Sequence, residues 1–145
     1  MNEGEILLVE DNPDDAELTR IAFTEAGIPN RLMVVHDGAQ ALDYLFARGA
    51  WADRDPARLP ALMLLDLNLP KLDGREVLQA IRGDVRTRAL PVVVLTTSVE
   101  PFDVEASYAL GVNSYIRKPV DFKQFVTAVR QLGQYWLVLN HPRSA

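Results

Sequence analysis

Five side chains that could do chemistry together each follow a short strand-like run. Glu10 and Asp11 come after residues 5–9, Asp66 after 61–65, Thr96 after 91–95 and Lys118 after 114–117. If those runs are strands of one parallel sheet, all five emerge at its carboxyl-terminal rim, where open α/β sheets build their sites. Three carboxylates, a hydroxyl and an ammonium would then converge. Carboxylates about 4 Å apart repel by roughly 4 kcal/mol per pair at an effective dielectric near 20, so such a gathering needs a compensating cation. Mg²⁺ suits the donor set, since it prefers oxygen ligands, keeps several waters and takes few carboxylates. The chain has no cysteine, and its two histidines, His36 and His141, lie far apart, so zinc and copper lack their usual donors. A cation, a carboxylate nucleophile and a lysine make a phosphoryl-transfer site, in which positioning and electrostatics do most of the catalysis. Attack by a carboxylate would yield an aspartyl phosphate.

Taken singly, each position has an ordinary explanation. Acids before a helix favour its dipole, and an aspartate after a strand is often a turn residue. Thr96 could be strand filling and Lys118 a solvated loop charge. These readings must all hold independently, whereas one site accounts for all five residues.

The elements that would carry them alternate along the chain. The run at 5–9 precedes Asn12-Pro13-Asp14-Asp15, a helix start with a capping asparagine, proline in the first turn and acids complementing the dipole. Leu18, Ile21, Ala22 and Glu25 carry the helical period, and Gly27 stops it. A strand is expected at 31–35. A helix follows Asp37-Gly38, with Ala41, Leu42, Leu45 and Phe46 on one face. Residues 49–60 read as a long polar loop without regular structure. The fully apolar run at 61–65 fits a central parallel strand buried on both faces. Further on, the pattern predicts a loop at 69–74, a helix at about 75–82, a strand at 91–95, a helix at 101–110 stopped by Gly111, and a strand at 114–117. Asp121 then caps a last helix reaching about Leu139, with Phe122, Phe125, Val126, Val129, Leu132 and Trp136 on the same stripe.

Five strand-then-helix units predict an α/β fold with a doubly wound, five-stranded parallel sheet. At 145 residues and 48% hydrophobic, the chain can bury the core of one domain. A formal net charge of −5 argues against nucleic acid as the main partner. No apolar run approaches the roughly 18 residues of a membrane span, and the start lacks a signal-peptide pattern. A soluble cytoplasmic protein is expected. The absence of cysteine excludes disulfides and thiolate catalysis.

Four segments carry a resemblance: Val9-Glu10-Asp11-Asn12, Leu65-Asp66-Leu67-Asn68-Leu69-Pro70, Leu95-Thr96-Thr97-Ser98 and Tyr115-Ile116-Arg117-Lys118-Pro119. In order, and each at a strand end, they resemble the receiver domains of bacterial two-component response regulators. The resemblance spans residues 5–132 and implies the flavodoxin-like receiver fold, strand order 2-1-3-4-5. It implies that Asp66 is the phosphoacceptor, charged by a sensor histidine kinase, so that the chain catalyses only its own phosphorylation and dephosphorylation. Asp11, Asp66 and the backbone carbonyl of Asn68 match Mg²⁺ ligands, with Glu10 acting through water. Lys118 matches the residue pairing with the phosphoryl group, and Thr96 the hydroxyl bonding it. Tyr115 matches the aromatic switch that follows Thr96, and Pro119 a position usually preceded by a cis bond in the family. On this reading residues 1–145 form one receiver domain with no output domain. Signalling then falls to the face of the 101–110 helix, the fifth strand and the last helix.

The Glu-Asp-Asn-Pro-Asp-Asp start, the long loop before the third strand and the aromatic tail resemble, more narrowly, the single-domain regulators that partner bacterial phytochrome kinases. In the tail, Tyr135, Trp136 and Val138 belong to a run apolar on every side, which points to a homodimer interface. Two rival functions remain: an Asp-nucleophile phosphatase and a phosphate-independent adaptor with the same fold. The phosphatase type requires a second aspartate two residues beyond the nucleophile, where Asn68 stands here.

Overall fold

The computed structural model describes residues 4–66, 74–96, 109, 111–112, 114–117 and 121–132, with the backbone alone at 96, 114, 115, 117 and 132. Five parallel strands form one sheet: β1 (Ile6–Val9), β2 (Leu32–Val35), β3 (Leu62–Asp66), β4 (Val92–Thr96) and β5 (Ser114–Arg117). Their spatial order is β2-β1-β3-β4-β5, the order that the family resemblance implies. Among the described residues, the sheet is accompanied by the helices α1 (Pro13–Glu25), α2 (Gly38–Leu45), α3 (Gly74–Gly83) and α4 (Phe122–Leu132). The helix expected at 101–110 apart from residue 109, which is helical, the extension of the last helix beyond 132 and the loop at 69–73 lie outside the described residues.

β1 and β2 are apolar throughout, and β3 and β4 are apolar up to their last residues, Asp66 and Thr96, because both faces of the sheet are covered; the pleat divides the side chains between two cores. On one face Leu7, Val9, Met63, Leu65, Val92 and Val94 pack with Ala41, Tyr44 and Leu45 of α2 and with Val77, Leu78 and Ile81 of α3. On the other, Ile6, Leu8, Leu62, Leu64, Val93 and Leu95 pack with Ala16, Ala22 and Phe23 of α1 and Val129 of α4. Successive strand residues alternate between these clusters, as a period of two requires.

In α1 the structure corrects the expected face. Leu18 and Ile21 are 48% and 41% exposed, while Ala16, Thr19, Ala22 and Phe23 are buried. Ala16, Thr19 and Ala22 are small, which lets the helix axis approach the sheet, and Phe23 is the large apolar side chain on the buried stripe. The start of α1 is as expected: Asn12 Oδ1 accepts from Asp14 N at 2.9 Å and Asp15 N at 3.2 Å, with Pro13 opening the helix. Asp121 Oδ1 caps α4 in the same way, accepting from Lys123 N at 2.9 Å.

The loop before β3 holds one regular piece that the sequence pattern did not suggest, a 3-10 turn at Gly49–Trp51. The loop is held by side chains. Trp51 meets Tyr44 edge-on at 5.7 Å between ring centroids, and Arg54 stacks on the Tyr44 ring at 4.0 Å. Arg54 also donates to the carbonyls of Tyr44 and Arg58. One of these bonds ties the loop to α2 through Tyr44, and the other holds Arg54 to Arg58 within the loop.

Candidate functional site

Register builds the centre of the site. The β1–β3 ladder pairs Val9 with Leu65, so the next residue on each strand, Glu10 and Asp66, stand side by side at the carboxyl rim. Glu10 N donates to Val35 O at 3.0 Å, extending the pairing toward β2. Asp11 follows in the bend that leads into α1. Carboxylate oxygens of Glu10, Asp11 and Asp66 all lie within 4.8 Å of one another. Glu10 and Asp66 are 1% and 7% exposed, whereas Asp11 is open to solvent.

The surroundings fix these acids. Asn12 N donates to Glu10 Oε2 at 3.3 Å, so the residue that caps α1 through its side chain also steadies Glu10 through its backbone. Asp66 is the last residue of β3 and pairs with Leu95 of β4. Thr96 therefore sits one step further out on the neighbouring strand, opposite Arg117 of β5. The backbone thus brings the ends of β1, β3, β4 and β5 to one rim, as expected from the sequence. Tyr115 lies on β5 opposite Val94, one turn of the pleat inside that rim. Asn68, Lys118, Pro119, Tyr135, Trp136 and Val138 lie outside the described residues.

His36 also belongs to this rim. It directly follows β2, its Nδ1 lies 3.4 Å from Glu10 O, and its backbone N–H donates to Gln40 Oε1 at 2.8 Å. The signal that could have placed it is the rule used for the other strands: inspect the residue after each apolar run.

Chemically, the cluster is a three-carboxylate oxygen donor set, partly buried and partly open. That combination fits a hard divalent cation that retains water ligands on its open side. Without a cation, three like charges at this spacing are mutually repulsive. Among the described residues it is the group of acids and histidines close enough to hold a metal ion. Again among the described residues, no helix is long and apolar enough to cross a membrane.

Comparison with known proteins agrees with this geometry. A probable methanogenesis regulatory protein, FilR2 of Methanothrix harundinacea, is 44% identical over 135 residues, covering 93% of this chain and 84% of its own. The solved bacteriophytochrome response regulator RtBRR is similar at 52% identity and a TM-score of 0.80, over 97% of this chain and 84% of that one. The Mn²⁺-bound form of response regulator Rcp1 is similar at 38% identity and a TM-score of 0.85, over 97% and 99%. The family model described as the response regulator receiver domain matches residues 6–130. With the sheet order, the strand-end acids and this match over most of its length, the chain belongs to the response regulator receiver family.

Proposed function

We propose that Asp66 accepts a phosphoryl group from a phosphohistidine of a sensor histidine kinase, and that the partner is a phytochrome-type kinase. The observation that carries this is the convergence of Glu10, Asp11 and Asp66, with Asp66 ending the central strand β3. The Asp66 carboxylate forms the new P–O bond as the P–N bond of the donor breaks and the imidazole leaves. Asp11 and Asp66 would hold Mg²⁺ directly, with the Asn68 carbonyl, and Glu10 through water. The cation supplies charge neutralisation at the phosphoryl oxygens. The Mn²⁺-bound state of Rcp1 supports a divalent cation in a receiver of this type.

Lys118 pairs with the phosphoryl oxygens and Thr96 hydrogen-bonds one of them. Tyr115 then follows Thr96 inward. These movements alter the surface of residues 101–117 and α4, through which the chain signals. Apart from promoting its own phosphorylation and dephosphorylation, it turns over no substrate. RtBRR's description as a bacteriophytochrome response regulator supports the light-signalling partner. The apolar segment around Tyr135, Trp136 and Val138 supports a homodimer, acting in the cytoplasm without nucleic acid or membrane as partner.

The test is labelling of the full chain by acetyl phosphate in Mg²⁺, read by intact mass. A gain of one phosphoryl group, lost in Asp66→Asn, is the expected result. Labelling that persists in Asp66→Asn at another residue overturns the assignment. Labelling by a purified phytochrome kinase, and its dependence on red or far-red light, tests the partner separately.

A further inference from the structure

Arg82 closes the last turn of α3 at the end of the sheet opposite the acidic rim, and its guanidinium reaches three backbone carbonyls. Nη1 donates to Arg88 O at 2.9 Å and to Leu90 O at 2.8 Å, and Nη2 donates to Gly111 O at 2.8 Å. Leu90 lies two residues before β4, and Gly111 lies three before β5. Gly111 has φ +76°, and a Cβ built there would stand 3.0 Å from Arg82 Nε. The turn carbonyl can approach the guanidinium this closely because the residue is glycine.

The strands so tied are the two that lead to Thr96 and Lys118. β4 ends at Thr96, and β5 ends at Arg117, immediately before Lys118. β5 is also the edge strand, four residues long and paired with β4 alone. An edge strand this short draws little of its placement from its own ladder, so the turn that feeds it matters more. The acid cluster has a different support: it stands on β1 and β3, and none of the three carbonyls precedes either strand. Only arginine suits the clamp, because its planar fork reaches several acceptors at once, whereas a lysine ammonium is a single point of charge.

We propose that Arg82 is a positioning residue for phosphoryl transfer. By tying the entries of β4 and β5 to α3, it sets where those strands present Thr96 and Lys118 relative to Asp66. This rests on the phosphoacceptor reading above. Small misplacements of catalytic groups are expensive in rate, so loosening the clamp slows transfer while leaving cation binding at β1 and β3 intact.

The experiment compares the wild-type chain, Arg82→Lys and Gly111→Ala. Arg82→Lys keeps the charge but loses the fork, and Gly111→Ala keeps the arginine but adds the crowding Cβ. Mg²⁺ affinity is measured by calorimetry, and the rate of acetyl phosphate labelling is measured at saturating Mg²⁺. The expected result is a labelling rate about tenfold lower in both variants, with Mg²⁺ affinity within about twofold of wild type. A wild-type labelling rate in Arg82→Lys overturns the assignment. So does a loss of Mg²⁺ affinity in step with the rate, which would mean general loosening rather than positioning. A wild-type chain that takes no label overturns the phosphoacceptor reading itself, an outcome separate from either.

Discussion

Glu10 and Asp66 are lateral neighbours on adjacent strands, because the β1–β3 ladder pairs the residues just before them, Val9 and Leu65. Both acids are nearly buried, and their oxygens lie within 4.8 Å of each other and of Asp11. Two consequences follow from holding like charges there, one for the bare protein and one for its cation-bound state.

The bare protein carries the repulsion of those acids, roughly 3 kcal/mol per pair at an effective dielectric near 20 before screening at exposed Asp11. Asp66→Asn removes one charge and should stabilise the chain in EDTA by about 1–3 kcal/mol, a rise of several degrees in Tm for a domain of this size. Adding Mg²⁺ should raise the Tm of the wild type by mass action and raise that of Asp66→Asn much less. Differential scanning fluorimetry in EDTA and in Mg²⁺ checks both. A variant melting below wild type in EDTA would contradict the account.

Asn12 serves two masters through different atoms. Its side chain caps α1, and its backbone N–H holds Glu10 Oε2. Asn12→Ala should therefore cost about 1 kcal/mol of stability in urea denaturation, from the lost cap. The backbone contact survives the substitution, so Mg²⁺ affinity should change by less than about threefold. A large fall in affinity would mean that the side chain reaches the site.

The two faces of α1 make opposite predictions. Ile21→Ser on the exposed face should change stability by less than about 0.5 kcal/mol, as surface substitutions do. Phe23→Ala, in the core against β1 and β3, should cost about 3–5 kcal/mol through lost burial and an unfilled cavity. Denaturant midpoints for the pair check the assignment of faces, and equal effects would reverse it.

Asp84 and Arg86 form a surface pair, with Arg86 Nη2 2.8 Å from Asp84 Oδ2. The Arg86 side-chain hydrogen bond, helped by its backbone N–H, lowers the Asp84 pKa from 3.8 to about 2. A depressed folded-state value means that the pair's contribution is present above the ordinary value and is lost as pH falls from 3.8 toward 2. Because Arg86 is exposed and Asp84 lies half-buried at the surface beside it, solvent screens the pair and the effect on stability should be minor. Carboxyl carbon NMR should find the midpoint near 2 in wild type, moving up toward 3.8 in Arg86→Gln. A midpoint unchanged by that substitution would remove Arg86 as the cause.

By itself the sequence determined the kinds of element and their punctuation. Apolar runs too short for helices, broken by Asn12-Pro13, Asp37-Gly38 and Asp121, carry local signals that act within a few residues, and the strands and caps follow them. It also singled out Glu10, Asp11, Asp66 and Thr96, because every parallel strand must present its carboxyl end at the same rim. Tertiary structure alone decided what depends on neighbours distant in sequence. The apolar residues of α1 do not form a single stripe, so periodicity could not choose its inner face; packing chose the stripe with the small residues, which leaves Leu18 and Ile21 outside. Likewise, whether Glu10 or Asp11 would stand beside Asp66 was a matter of one residue of register. A shift of one residue reverses every side chain on a strand, and only two filled cores, one on each face of the sheet, select between the alternatives.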